Sequence, residues 1–172
     1  MGVRLILIRH AKSDWNAGVS DRDRPLNGRG RSQAPETGEW LAGRFGDVDL
    51  AVVSVAARAR ETWELVSRHL SADEVRDAED AYTFDGDDLA DLVAGLPESA
   101  SSVVLVGHNP AMEELMSSPM VRVFPSRPAF RRGGKAACEP ACRIRVGSTV
   151  SSNLSRGRRP LYHGCISAVL IG

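Results

Sequence analysis

The stretch VRLILIRHAK, residues 3–12, decides the fold expected for this chain. Its first six residues are apolar except for Arg4 and do not alternate with polar residues. Such a run is typical of a strand buried on both faces, and these strands occur mainly in parallel sheets covered by helices. Arg9 and His10 follow at once, so an ionisable pair stands at the carboxyl end of a buried strand.

Strand-like and helix-like segments then alternate as far as residue 117. Apolar runs at residues 50–53 and 102–106 predict two further buried strands. Apolar residues at helical spacing predict helices over residues 31–45, 58–70, 87–96 and 111–117. This alternation predicts an α/β fold, a three-layer α/β/α arrangement with a mainly parallel central sheet.

The 172-residue chain changes in composition near residue 117. Residues 1–117 hold 12 lysines and arginines against 21 acidic residues, whereas residues 118–172 hold 10 basic residues and one acid, Glu139. The second stretch is also rich in proline and glycine, and only residues 143–150 and 166–171 read as strands. We expect one folded domain over residues 1–117 and an atypical basic, poorly ordered segment over residues 118–172.

Several interpretations of the basic segment are open. Its abrupt change of composition resembles translation of a GC-rich gene in the wrong frame, with a shift near residues 116–120. A zinc site would need Cys138, Cys142, His163 and Cys165, but their spacing is poor, so free thiols and no metal are expected. The segment lacks interleaved aromatic residues and an amphipathic helix, so neither nucleic acid nor a membrane is an expected partner.

The sequence predicts a cytoplasmic protein. No apolar run approaches the roughly 20 residues that a membrane helix needs. The first residues also lack the basic segment and apolar stretch of a secretory signal.

Polar segments follow all three predicted strands. They are RHAKSDWN (residues 9–16), SVAARARET (residues 54–62) and GHNP (residues 107–110). Because the carboxyl ends of parallel strands meet at one edge of a sheet, two histidines and at least two arginines are expected to converge there. Arginine offers a planar fork of donors to phosphoryl oxygens, and a neutral imidazole can attack phosphorus. These segments predict a site for a dianion, built around a nucleophile.

The motifs resemble those of the histidine phosphatase (phosphoglycerate mutase-like) superfamily. RHAK looks like its opening motif, residues 54–62 are similar to its second arginine motif, and residues 107–110 to its second histidine motif. The loop DRPLNGRG (residues 23–30) and a short chain without a large inserted cap resemble the SixA-like phosphohistidine phosphatase branch. The resemblance covers about residues 3–117 and implies a phosphoglycerate mutase-like fold.

The resemblance also assigns roles to individual residues. His10 would become phosphohistidine, and three further residues would hold the phosphoryl group: Arg9, Arg58 and His108. Asn16 would add a donor, while Lys12 would either contact the substrate or face solvent. No metal or cofactor is implied, because the arginines supply the charge stabilisation.

A proton donor is not defined by the motifs. Larger superfamily members use a glutamate in an insert that this chain does not clearly have, and Glu79, Asp80 and Asp85 lie in the corresponding region without matching a motif. An imidazole leaving group has a reference pKa of about 6.5, far below that of an alkoxide, and needs less proton assistance. The missing acid therefore favours a phosphohistidine-bearing protein as the substrate.

Two other functions stay open at this stage. One is a phosphatase of small phosphoesters or a mutase-like relative, although a mutase needs a pocket for a second phosphate, and residues 1–117 show no extra basic cluster. The other is a non-catalytic phosphate-binding interaction module. Outside the motifs, His69 and Arg60 are interpreted as surface residues.

Overall fold

A computed structural model of the chain describes residues 3–117 and, of the basic segment, the backbone of residues 122–125 and 165–169. The strands are β1 (Arg4–Arg9), β2 (Val48–Ser54), β3 (Ala72–Ala78), β4 (Ser102–Gly107), β5 (Arg122–Pro125) and β6 (Cys165–Val169). The helices are α1 (Gly28–Phe45), α2 (Ala57–Val66), α3 (Gly86–Ala94) and α4 (Ala111–Ser117). No helix within the described residues has the length and apolar character needed to cross a bilayer.

The strands form one parallel sheet in the order β3-β2-β4-β1-β6-β5. Strand β1 lies between β4 and β6, and its last residue, Arg9, pairs with Gly107 at the end of β4. Strand β2 flanks β4 on the other side, with Val53 opposite Val106. The segments that follow β1, β2 and β4 therefore leave the sheet at the same edge.

Two apolar cores lie on opposite faces of the sheet. Alternate residues of β1 face each core: Ile6 and Ile8 pack with α1 and α2, whereas Leu5 and Leu7 pack with α3 and α4. All four side chains are at most 2% exposed. The three-layer α/β arrangement predicted from the sequence is thereby confirmed.

Helix α1 lies directly against the loop that follows β1. Asn27 caps the helix by accepting a hydrogen bond from the Gly30 N–H at 2.9 Å, and its own backbone N–H donates to the Lys12 carbonyl at 3.0 Å. A Cβ atom at Gly30 would lie 2.2 Å from that same carbonyl oxygen, so a larger residue would displace the loop. This contact fixes the segment after β1 relative to the sheet.

Strand β3 was not predicted from the sequence. Its residues, ADEVRDA, are mostly charged and mostly exposed, and Val75 at its centre is 52% exposed. The strand stands at the edge of the sheet, where pairing with β2 holds it, and only its end residues, Ala72 and Ala78, pack against a core. Exposed charges of this kind are typical of an edge strand that resists pairing with other chains.

The described part of the basic segment extends the sheet. Strand β6 runs parallel to β1 and overlaps the predicted strand at residues 166–171, whereas β5 was not predicted. The predicted strand at residues 143–150 lies outside the described residues, as do Cys138, Cys142 and His163. The division of the chain into residues 1–117 and 118–172 stays a prediction.

Candidate active site

The structure brings His10, Arg58 and His108 together at the carboxyl edge of the sheet. His10 follows β1, His108 follows β4, and Arg58 lies in the first turn of α2, just after β2. The centroids of the two imidazole rings are 5.1 Å apart, with the ring planes inclined at 53°. Strand order and register thus assemble side chains that are far apart in the sequence.

His10 is held as a neutral imidazole with a defined tautomer. Its Nδ1 lies 2.8 Å from the Ala11 carbonyl oxygen, which can only accept, so Nδ1 carries the proton. Its Nε2 accepts a hydrogen bond from Arg58 Nε at 3.1 Å. Burial lowers the pKa of His10 to about 4, with the charges of Arg58 and Arg9 acting in the same direction against the Ala11 hydrogen bond. Nε2 is therefore the nitrogen with a lone pair near neutral pH.

His108 is also neutral and is almost fully buried, with 1% of its surface exposed. Its Nδ1 lies 3.2 Å from Arg58 Nη2, which only donates, and its Nε2 lies 2.8 Å from Ser54 Oγ. Nε2 thus carries the proton and donates it to the serine hydroxyl. Burial, the charge of Arg58 and the neighbouring His10 lower the pKa of His108 to about 3.

Arg58 links the two histidines to the loop between β1 and α1. Its side chain is 1% exposed, and its Nη2 bonds Asp21 Oδ2 at 2.9 Å in addition to His108. Its Nη1 donates to the Asp21 backbone carbonyl. A guanidinium can make all these contacts at once because its donors form a fixed planar fork. Arg58 is consequently the centre of the site.

Asp21 is a site residue that the sequence analysis did not identify. Arg24 Nη2 and the Tyr82 hydroxyl donate to its carboxylate at 2.7 Å and 2.9 Å. Partial burial acts to raise the pKa of Asp21, but these two hydrogen bonds and the charge of Arg58 outweigh it and lower the pKa to about 2. The carboxylate is therefore ionised and occupies Arg58 donors that a phosphoryl group would otherwise use.

Beside His10 and Arg58 lies a pocket of about 300 Å³, and His108 is not among the residues that line it. Its walls include Arg9, His10, Lys12, Asp21, Arg24, Arg58 and two aromatic side chains, Trp15 and Phe84. Arg9 and Lys12 line the pocket, and the roles that the resemblance implies for them stay predictions. Asn16 is exposed, does not line the pocket, and bonds Asp14 Oδ1 through its backbone N–H at 2.9 Å; its role stays a prediction.

The three carboxylates considered as proton donors do not line this pocket. Glu79 forms a bidentate ion pair with the exposed Arg22, at 2.6 Å and 2.7 Å. Asp85 caps α3 through the backbone N–H groups of its first turn, and Asp80 lines a neighbouring groove between β3 and α3. The structure offers none of them a direct contact with His10.

Thr62 is a second residue that the sequence analysis missed. Its hydroxyl accepts from the Ala11 N–H at 3.0 Å and donates to the Arg58 carbonyl at 2.6 Å, which ties the segment after β1 to α2. In the sequence, Thr62 is marked only by its position in the predicted arginine motif. It follows Arg58 by four residues, and residues at this spacing lie on the same face of a helix. Thr62 is fully buried and positions the two segments that carry the site.

The neutral state of His108 predicts a loss of stability in acid. The folded protein keeps this imidazole unprotonated down to about pH 3, whereas the unfolded chain protonates it near the ordinary value of 6.5. Between these values the unfolded state binds more protons, so acidification lowers the free energy of unfolding by about 1.4 kcal/mol per pH unit. Urea titrations should show that His108→Gln removes this part of the pH dependence. An unchanged pH dependence in the variant would contradict the neutral assignment.

The chain is thus a parallel α/β protein with a buried arginine between two neutral histidines at the carboxyl edge of its sheet. Residues 5–81 of the chain match the family model of the histidine phosphatase superfamily (branch 1). That match contains His10 and Arg58, while His108 lies beyond it.

Two solved structures with this fold belong to proteins provisionally described as phosphohistidine phosphatase SixA. The one from Nakamurella multipartitia is 38% identical, with a TM-score of 0.58, over 64% of this chain and 61% of that protein. The one from Agrobacterium tumefaciens is 33% identical, with a TM-score of 0.58, over 65% of this chain and 73% of that protein.

An uncharacterized protein of Mycobacterium tuberculosis is 33% identical over 108 residues, which is 63% of this chain and 66% of the relative. This chain thus spans just under two thirds of the mycobacterial relative. Together with the family match and the SixA-like structures, this shows that the chain belongs to the histidine phosphatase superfamily.

Proposed function

We propose that this protein is a phosphohistidine phosphatase that acts, through a phosphohistidine intermediate at His10, on a phosphorylated signalling or phosphotransfer protein of the cytoplasm. The observation that carries the proposal is the state of His10. The Ala11 carbonyl holds the proton on Nδ1, so Nε2 is unprotonated near neutral pH. Its lone pair accepts a hydrogen bond from Arg58 Nε and would exchange that bond for the one to phosphorus. A nucleophilic nitrogen beside a buried guanidinium suits attack on a phosphoryl group.

In the proposed reaction the bond between phosphorus and the substrate imidazole breaks as a bond from phosphorus to His10 Nε2 forms. The second nitrogen of the substrate ring takes a proton from solvent before the bond breaks, so that the ring leaves as neutral imidazole. Water then attacks the phosphorylated His10, which releases inorganic phosphate and returns the electron pair to Nε2. Arg9, Lys12 and Arg58 line the pocket and would offset the charge of the phosphoryl oxygens in both steps.

The carboxylate in the pocket supports phosphohistidine as the substrate class. Among the described residues that line the pocket, Asp21 is the only carboxylate, and its pKa of about 2 keeps it ionised near neutral pH. It therefore cannot supply the proton that a strongly basic alkoxide needs on leaving. Imidazole, with an ordinary pKa of about 6.5, leaves without such help.

Capture of the intermediate tests this proposal. The protein would be mixed with a ³²P-labelled, histidine-phosphorylated carrier domain and quenched in alkali, in which phosphohistidine survives. Trypsin cleaves after Arg9 and Lys12, so the label should appear on the peptide of residues 10–12. Phosphate release should also be faster from this donor than from para-nitrophenyl phosphate.

Other outcomes would point to the alternative functions. Faster turnover of small phosphoesters than of the carrier domain would indicate a phosphomonoesterase. A folded protein that releases phosphate from neither donor and gains no label would indicate a phosphate-binding interaction module.

A further inference from the structure

Two exposed aromatic rings stand at the mouth of the pocket. Trp15 is 74% exposed and Phe84 is 48% exposed, and both line the pocket that contains His10. Only two other large hydrophobic side chains among the described residues are exposed to a similar degree, those of Val19 and Val75. Leaving such rings in water forgoes favourable burial, and an exposed aromatic pair beside a pocket is typical of a binding surface.

Both rings contact other side chains of the protein. The Arg24 guanidinium carbon lies 3.6 Å from the centroid of the Trp15 ring and covers one of its faces. Phe84 meets Tyr82 edge to face, with centroids 5.7 Å apart and planes at 69°, and lies 5.5 Å from the His108 ring. Because these contacts restrict the rings, a ligand that packs on them would lose less binding energy to immobilising them.

We infer that Trp15 and Phe84 form a subsite for the planar ring that carries the phosphoryl group in the substrate. The inference rests on the proposed function, which places the phosphoryl group against His10 and Arg58. Arg58 is 1% exposed and forms the base of the pocket, whereas the aromatic rings form its rim. In an in-line displacement the leaving group departs on the side opposite the nucleophile, so a phosphoryl group held against His10 and Arg58 would direct it towards the solvent-exposed part of the pocket.

The size of the pocket agrees with one ring. About 300 Å³ is at the lower end of the range for small-molecule sites, enough for a phosphoryl group and a single five-membered ring. An imidazole at the end of a protein side chain would reach the rim from outside and pack on the aromatic faces, which an aliphatic leaving group would fill poorly. The two rings therefore select the leaving group, while His10 and Arg58 act on the phosphoryl group.

Two phosphoryl donors with the same phosphorus–nitrogen bond separate these contributions. Phosphohistidine carries the imidazole ring, and phosphoramidate has no ring. We would measure kcat/KM for both donors with the wild type, Trp15→Ala/Phe84→Ala, and each single variant. Val75→Ala is the matched control, since Val75 is also an exposed hydrophobic residue but lies on β3, away from this pocket.

For the double variant, kcat/KM should fall by at least about tenfold with phosphohistidine and stay within about twofold with phosphoramidate. Trp15→Phe, which keeps a ring, should recover part of the loss, and Val75→Ala should change neither value. Equal losses of kcat/KM with both donors would mean that the rings only position Arg24 and its neighbours. An unchanged kcat/KM with both donors would mean that the rings do not contact the substrate. Either result would overturn the inference. A wild type that releases phosphate from the histidine-phosphorylated carrier domain but from neither small donor would also overturn the inference, whereas one inactive on all three would refute the proposed function.

Discussion

Replacing His10 with alanine is expected to lower the rate of phosphate release by at least about a thousandfold, the range seen when an enzyme loses its nucleophile. Alanine has no atom that can attack phosphorus, and the other imidazole of the site, that of His108, cannot replace Nε2 without giving up its own hydrogen bonds. Both nitrogens of His108 are engaged, by Arg58 and Ser54. The affected quantity should be kcat, measured as phosphate released from a histidine-phosphorylated carrier domain.

His69→Ala is the matched control for this variant. His69 is exposed and follows α2, far from the pocket lining, so its replacement should leave kcat within about twofold of the wild type. His10→Ala should still bind inorganic phosphate, since Arg9, Lys12 and Arg58 remain. A His10→Ala protein that keeps phosphate binding and also keeps turnover would rule out the covalent mechanism.

The convergence at the sheet edge was predictable from the sequence because it follows from a rule of parallel sheets. The unbroken apolar runs of β1 and β4 mark strands buried on both faces, and the residues after such strands meet at one edge. Arg9, His10 and His108 stand immediately after or at the end of these runs. A residue that directly follows a buried parallel strand must lie at this edge of the sheet, so its place in the site can be predicted from the sequence.

Asp21 was not predictable in the same way, because its partners are set by the folding of a loop. It lies in a run of alternating charges, residues 21–24, that resembles an ordinary solvated segment. Its contacts with Arg58 and Tyr82 span 37 and 61 residues of the chain. Asp21 lies in a loop, where no helical or strand periodicity indicates its partners. Its pairing with these distant residues is therefore seen only in the three-dimensional structure.

The edge strand β3 was missed for a different physical reason. Hydrophobic periodicity records which residues face a core, and the residues of β3 are mostly exposed on both faces. Backbone hydrogen bonds with β2 hold this strand in the sheet, and the pattern of side chains in the sequence does not show such bonds. Because β3 was not predicted, the neighbouring groove that Glu79 and Asp80 line was not predicted either.

Arg58→Lys is expected to reduce kcat/KM for phosphate release by roughly a hundredfold or more, although the positive charge is retained. Arg58 bonds His10 Nε2 through Nε, and His108 Nδ1 and Asp21 Oδ2 through Nη2. A lysine ammonium places all its donors on one atom and cannot span these positions. The two imidazoles and the Asp21 carboxylate would then lose their common support.

Arg60→Lys provides the comparison that separates geometry from charge. Arg60 lies two positions further along α2, is exposed, and pairs with Asp77 at 2.8 Å on the surface. An exposed ion pair of this kind contributes little, so this variant should keep wild-type kcat/KM within about twofold. If Arg58→Lys were as active as Arg60→Lys, a positive charge alone would suffice at the base of the pocket. The fork of hydrogen bonds around Arg58 would then have no part in the reaction.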